Sequence, residues 1–242
     1  MREAIRYAAS GIQFRGELIY DESVKSRRPA LLVAPNFLGV TDAAVEQGRM
    51  LAGDRYVALV ADLYGESTRP AGMEQAAALS NPIKANPGEA RSRMNAALNA
   101  LTSAGERRGI IDSRRRAAIG FCFGGGNVLE LARSGADIAA AISVHGDLAS
   151  FKPAGPKQIK AAVLALHGSK DPIVPRSQLE AFLAEMDSSG AKWKLVVFGG
   201  LVHAFTEPGA NVPGMAKYDE PASRQTWSLV HEFLADAFAG RL

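Results

Sequence analysis

The chain has 242 residues, 47% of them apolar and 22% charged, with a single cysteine, Cys122. That is the composition of an ordinary globular protein, which excludes a disordered or collagen-like chain. One cysteine excludes an internal disulfide framework, and without a Cys/His cluster no zinc site is expected. The formal net charge of +3 is a weak excess. Its densest cluster, Arg107-Arg108 and Arg114-Arg115-Arg116, reads as a solvated loop before a strand and not as a nucleic-acid surface. No run approaches the roughly 18 apolar residues of a membrane span. The first twenty residues carry no signal-peptide pattern, so a cytoplasmic protein without membrane or nucleic-acid partners is expected.

In chain order, residues 14–20 read as an edge strand or hairpin arm. The runs 30–35, 56–63, 116–122, 138–145, 161–167 and 194–198 are apolar at nearly every position, as suits strands buried on both faces of a parallel sheet. Helices are expected near 42–53, 88–104, 125–134, 175–189 and 219–239. Thr41-Asp42, Pro87 with Glu89, and Pro175 supply helix-start signals. The stretch 64–88, polar and rich in Gly, Pro and Asn, reads as a long surface excursion. Alternating strands and helices imply a doubly covered α/β sheet with right-handed crossovers, and no linker divides residues 1–242, so one domain is expected.

Ligands of such sheets bind beyond the carboxyl ends of the strands. The residues there are Asn36-Phe37-Leu38-Gly39, Tyr64-Gly65, Cys122, His145-Gly146-Asp147, Gly168 to Asp171 and Gly199 to Thr206. Gly120-Phe121-Cys122-Phe123-Gly124-Gly125-Gly126 follows a strand, opens a helix and fits the nucleophile elbow with Cys in place of Ser. The glycines relieve crowding where strand and helix approach closely, and the helix N-terminus beneath the sulfur favours thiolate. A buried, inert cysteine beside a glycine-rich turn would look the same locally. A phosphate loop would not, because its Lys-Ser/Thr is missing.

The elbow fold needs its acid and then its histidine later in the chain. Asp171 lies after the penultimate strand and His203 after the last. A Cys122–His203–Asp171 set has a clear division of work: His203 moves the proton and Asp171 orients the ring. His145 and His167 read as structural residues at strand ends, His231 as a surface residue, and Asp147 as a rival acid one strand too early. Two backbone donors are needed for the developing oxyanion. The N–H of Phe123 and that of Phe37 fill those places. Asn36, Leu38 and Phe205, with Phe121 nearby, are candidates for the substrate pocket.

These stretches, with H-G-S-K-D-P-I-V-P at 167–175, H-A-F at 203–205, Val60 to Gly65 and Tyr218-Asp219-Glu220, resemble the dienelactone hydrolase family over nearly the whole chain. The resemblance implies an α/β-hydrolase fold without a cap domain. It also implies hydrolysis of a lactone or ester through a thioester on Cys122, with no metal and no cofactor. Two departures stand out. Family members carry a Glu that contacts the thiol where this chain has Asn36, and members that act on dienelactone bind its carboxylate with arginines, one shortly after the catalytic histidine. Ala204-Phe205-Thr206 offers none; Arg69, Arg91 and Arg93 are the remaining candidates. A neutral or more apolar ester or lactone is the expected substrate. The alternatives are a binding or regulatory protein with a weak thiol, or an acyltransferase using the same thiol. The oligomeric state is left open.

Overall fold

The apolar runs between residues 30 and 167 become the middle of an eight-stranded sheet, whereas 194–198, expected to be buried on both faces, forms an edge strand with Val197 45% exposed. A computed structural model describes residues 1–242. Its strands are β1 (Arg2–Ala9), β2 (Ile12–Ile19), β3 (Arg28–Ala34), β4 (Val57–Val60), β5 (Ile111–Phe121), β6 (Ala140–Val144), β7 (Ala162–Gly168) and β8 (Trp193–Phe198). They are ordered β1-β2-β4-β3-β5-β6-β7-β8, and all pairs from β4 to β8 are parallel. The helices are α1 (Asp42–Ala52), α2 (Met73–Lys84), α3 (Pro87–Arg107), α4 (Phe123–Arg133), α5 (Arg176–Ser189) and α6 (Glu220–Phe238).

Along β3, Ala30, Leu32 and Ala34 enter one core while Leu31 and Val33 enter the other, which is why the strand shows no polar alternation. Helices α2 to α5 cover the first core, and α1 and α6 cover the second. This is the α/β-hydrolase arrangement, and no separate cap is evident. No helix is long and apolar enough to cross a membrane.

Most expected helices form where their start signals lie. Thr41 Oγ1 accepts from Ala44 N–H at 3.2 Å, Asn86 Oδ1 from Glu89 N–H at 3.2 Å, and Asp219 Oδ1 from Ala222 N–H at 2.9 Å.

The structure differs from the sequence expectation in four further places. The 64–88 excursion contains α2, which buries Ala76, Ser80 and Ile83 on one stripe; its Gly, Pro and Asn flanks conceal it, and Pro82 lies inside the helix. Arg2–Ala9 form β1, joined to β2 through Ser10 and Gly11, whose φ values of 49° and 77° make a hairpin turn. The arginine cluster is not a loop. Arg114 to Arg116 lie in β5 at a register shift opposite Pro29/Ala30, with Arg115 and Arg114 on Asp112 and Arg116 on Asp137. A two-stranded ribbon, β9 (Asn211–Val212) and β10 (Ala216–Lys217), lies between His203 and α6.

Candidate active site

The elbow turns between β5 and α4, and there the glycines are sterically required. A Cβ on Gly120 would stand 2.2 Å from the Gly124 carbonyl oxygen, and one on Gly124 would stand 2.1 Å from that of Ala34. Only hydrogens fit at those crossings. Cys122 is driven to φ 52°, ψ −119°, a backbone conformation that L residues adopt only under tertiary constraint. It is half-buried and occupies the N-cap of α4 without a side-chain cap bond. Phe123, the first helical residue, therefore has no intrahelical acceptor for its N–H.

Asp171 and His203 arrive on separate loops and meet. Nδ1 of His203 and Oδ2 of Asp171 are 2.7 Å apart, and both residues are buried. The other carboxylate oxygen of Asp171 accepts the N–H groups of Ile173 (2.9 Å) and Val174 (3.3 Å). The carboxylate is thus anchored by its own turn, and its free oxygen fixes the ring. Burial opposes charge on His203, but the hydrogen bond to Asp171 and the interactions with Cys122 outweigh it, so its pKa is raised to about 10. Nε2 of His203 is buried and hydrogen-bonded to no protein atom. It is the ring nitrogen left without a partner.

The backbone of His203 is pinned on both sides by the ribbon: its N–H donates to the Met215 carbonyl at 3.1 Å and its carbonyl accepts from Lys217 at 3.0 Å. Asp219 N–H then donates to the Phe205 carbonyl at 3.0 Å. No periodic pattern betrays a two-residue strand pair, so the ribbon escapes sequence reading.

The loop after β3 carries the other expected donor. Phe37 N–H donates to no protein acceptor. Its carbonyl accepts from Tyr64 Oη at 2.7 Å, and the Tyr64 ring stacks on Phe123 with centroids 5.7 Å apart. Asn36 Oδ1 accepts from Leu38 N–H at 3.0 Å, and Asn36 Nδ2 donates to Glu207 Oε2 at 2.8 Å. Asn36 thus shapes this loop, and Leu38 is partly exposed beside it.

Phe205 is not placed as the sequence reading expected. It is fully buried in the core under α6, 5.0 Å from the Phe198 ring and 5.2 Å from that of His145. Phe121, also fully buried, packs on Trp227. The turn that follows His203 carries Phe205 back into the core beneath α6.

His145, expected to be a structural residue at a strand end, is completely buried, with its ring edge-on to His203 at 5.2 Å and Nε2 2.9 Å from Thr206 Oγ1. Burial and the neighbouring His203 hold its pKa well below the ordinary value, so it is a neutral spacer against the imidazole. Glu207 escaped notice because its partner Asn36 is 171 residues away. His231, expected on the surface, is half-buried and stacks on Tyr56. The three candidate arginines are occupied. Arg69 holds Asp62 at 3.1 Å, Arg91 holds Glu130 at 2.8 Å and Arg93 holds Glu89 at 2.7 Å.

A thiol at a strained elbow, an oriented imidazole and free backbone donors are the parts of a nucleophilic acyl-transfer centre. Similar proteins carry the same architecture. The solved structure of m3DLH is 34% identical, superposes with a TM-score of 0.89 and covers 98% of both chains. A dienelactone hydrolase-like promiscuous phosphotriesterase from metagenomic libraries is 32% identical, with a TM-score of 0.85 and 98% coverage of both chains. A putative carboxymethylenebutenolidase of Salmonella typhimurium is 26% identical over 86% of this chain and 77% of its own length. The family model of the dienelactone hydrolases matches residues 14–238, and this chain belongs to the dienelactone hydrolase family of hydrolases.

Proposed function

We propose that this protein hydrolyses a small ester or lactone through a thioester on Cys122, with His203 and Asp171 completing the catalytic set. The observation that carries the reading is the 2.7 Å contact between His203 Nδ1 and Asp171 Oδ2, which leaves the other imidazole nitrogen buried and unbonded. Nε2 of His203, whose raised pKa favours the imidazolium, holds the proton drawn from the Cys122 thiol. The sulfur then bonds to the substrate carbonyl carbon. The charge that develops on the carbonyl oxygen is met by the N–H groups of Phe37 and Phe123. When the intermediate collapses, the C–O bond to the leaving group breaks and the leaving oxygen receives the proton from Nε2. A water then attacks the thioester and gives its proton to Nε2. The C–S bond breaks, the acid departs and the sulfur regains its proton.

Asn36 cannot take a proton, so activation of the thiol falls to His203 alone. With Arg69, Arg91 and Arg93 tied to internal carboxylates, none is free for a bidentate clamp on a substrate carboxylate. A thiol nucleophile without a disulfide partner suits the reducing cytoplasm, where we place the chain acting as one domain.

The test is hydrolysis of a short acyl nitrophenyl ester. The wild-type protein should turn it over and carry an acyl group on Cys122, visible by mass spectrometry. Cys122→Ala should reduce turnover roughly 1,000-fold or more, to what the oxyanion donors and binding alone supply. Equal rates in the two proteins would overturn the proposal.

A further inference from the structure

Glu207 is a carboxyl group at the edge of the site with one oxygen bonded and one not. Oε2 accepts from Asn36 Nδ2 at 2.8 Å, and Oε1 is buried with no hydrogen-bond partner. Other inward carboxylates of this fold are treated differently. Asp62 accepts the N–H groups of Arg15, Tyr64 and Gly65 and the Arg69 guanidinium, so both of its oxygens are used. Both oxygens of Asp171 are used as well. Leaving a buried acceptor unpaired is unfavourable, so a purely structural carboxyl would be expected to find a second partner.

Backbone and side chain tie Glu207 to the two loops of the site. Its backbone continues the loop that carries His203, its N–H donating to the Ala204 carbonyl at 3.0 Å. Its one side-chain partner, Asn36, is next in sequence to Phe37. The carboxyl therefore lies between the loop that carries the oxyanion donor and the loop that carries the imidazole. Burial raises its pKa, and its bond to Asn36 and the charge on His203 act in the opposite direction.

We propose that Glu207, held by Asn36, is a specificity-determining residue that repels substrates with a carboxylate near the reacting carbonyl and admits neutral or cationic ones. The charge at this corner is then the reverse of an arginine clamp. For esters and lactones the proposal rests on the hydrolase reading above. The charge itself can be read without it.

Two experiments separate the two claims. The first compares alkylation of Cys122 by iodoacetamide and by iodoacetate, a matched neutral and anionic pair, at about pH 8, above the ordinary carboxylate range. Glu207→Gln should lower the iodoacetamide-to-iodoacetate rate ratio roughly tenfold, the scale of a unit charge at a partly hydrated site. The second compares kcat/KM for nitrophenyl esters of pentanoate, glutarate and 4-trimethylammoniobutyrate. The wild type should favour the neutral and cationic acyl groups. Glu207→Gln should narrow the preference, and Glu207→Arg should turn it toward glutarate. Ratios within one protein are insensitive to any general loss of activity or of folded material. An alkylation ratio that is the same in the wild type and Glu207→Gln overturns this inference even if ester hydrolysis depends on Cys122. A changed alkylation ratio with no Cys122-dependent hydrolysis would sustain the charge at Glu207 and overturn the hydrolase reading instead.

Discussion

The two ends of α4 hold buried charge in opposite ways. At the C-terminal end, Arg133 is fully buried and saturated. Its guanidinium bonds to Glu185 at 2.7 and 2.9 Å, to Glu130 at 3.1 Å and to the Leu148 carbonyl at 2.9 Å. Glu130 also takes Arg91 at 2.8 Å, and Glu185 takes the Ala154 N–H at 2.7 Å. At the N-terminal end, Cys122 has φ 52°, His203 Nε2 and Glu207 Oε1 are buried without partners, and His145 and Ala204 share the positive φ of Cys122.

The first end joins α3, α4 and α5; the second leaves valences open. An unpaired buried group is not in itself a site. The Arg28 side chain, at the far end of β3, also lacks hydrogen-bond partners, and its guanidinium stands 6.0 Å from the Tyr20 ring. What distinguishes the N-terminal end of α4 is that a thiol, an imidazole, carboxyl groups and free N–H donors converge there from four loops.

If the contrast is sound, substitutions at the two ends should separate activity from stability. Asp171→Asn should lower kcat for a nitrophenyl ester by roughly 1,000- to 10,000-fold, because the amide no longer selects the tautomer that leaves Nε2 free to accept a proton. Because the Asp171 hydrogen bond also raises the His203 pKa, some stability should be lost with it, but less than in a variant that breaks the cluster at the other end of α4. A kcat within about tenfold of wild type would remove Asp171 from the catalytic set.

Arg133→Met should do the reverse. It strands Glu130 and Glu185, and removing one partner of a buried ion cluster is unfavourable by about 3–5 kcal/mol. Urea unfolding should show that loss, while kcat per folded molecule stays near wild type. A kcat that falls in step with stability would show that the two ends are coupled.

The smallest effect concerns pH. His203 has a folded pKa raised to about 10 against an ordinary 6.5. A raised pKa means that the folded state holds the proton more tightly. Its contribution to stability is therefore complete below about 6.5 and is lost as the pH rises through about 10. Cys122→Ala removes one of the causes that raise it. The imidazole titration, followed by NMR, should move to lower pH in that variant, and the decline of stability with rising pH should finish earlier. An unmoved midpoint would mean that thiol and imidazole do not interact at rest.

Much of this arrangement is legible in the residues. Glycines at 120 and 124 are needed where the backbone leaves no room for a Cβ, so the elbow announces itself locally. Strands β3 to β7 are readable because both of their faces are buried. Helix α2 was hidden because the turn residues around it are stronger local signals than a stripe of three buried positions. Strand β1 was hidden because an edge strand mixes polar and apolar residues and is defined by its partner β2.

By itself the sequence determined which residue types stand at the carboxyl ends of the strands, and in what order Cys122, Asp171 and His203 follow one another. Period, turn chemistry and chain order are local or one-dimensional properties, and each leaves a mark in the string of residues. Only the tertiary structure decided that Glu207 meets Asn36, that Phe205 turns into the core, that His145 backs His203, and that Arg69, Arg91 and Arg93 are already occupied. These facts depend on which side chains distant in sequence come within hydrogen-bond or van der Waals reach, and that follows from packing across loops, where no periodicity constrains the choice.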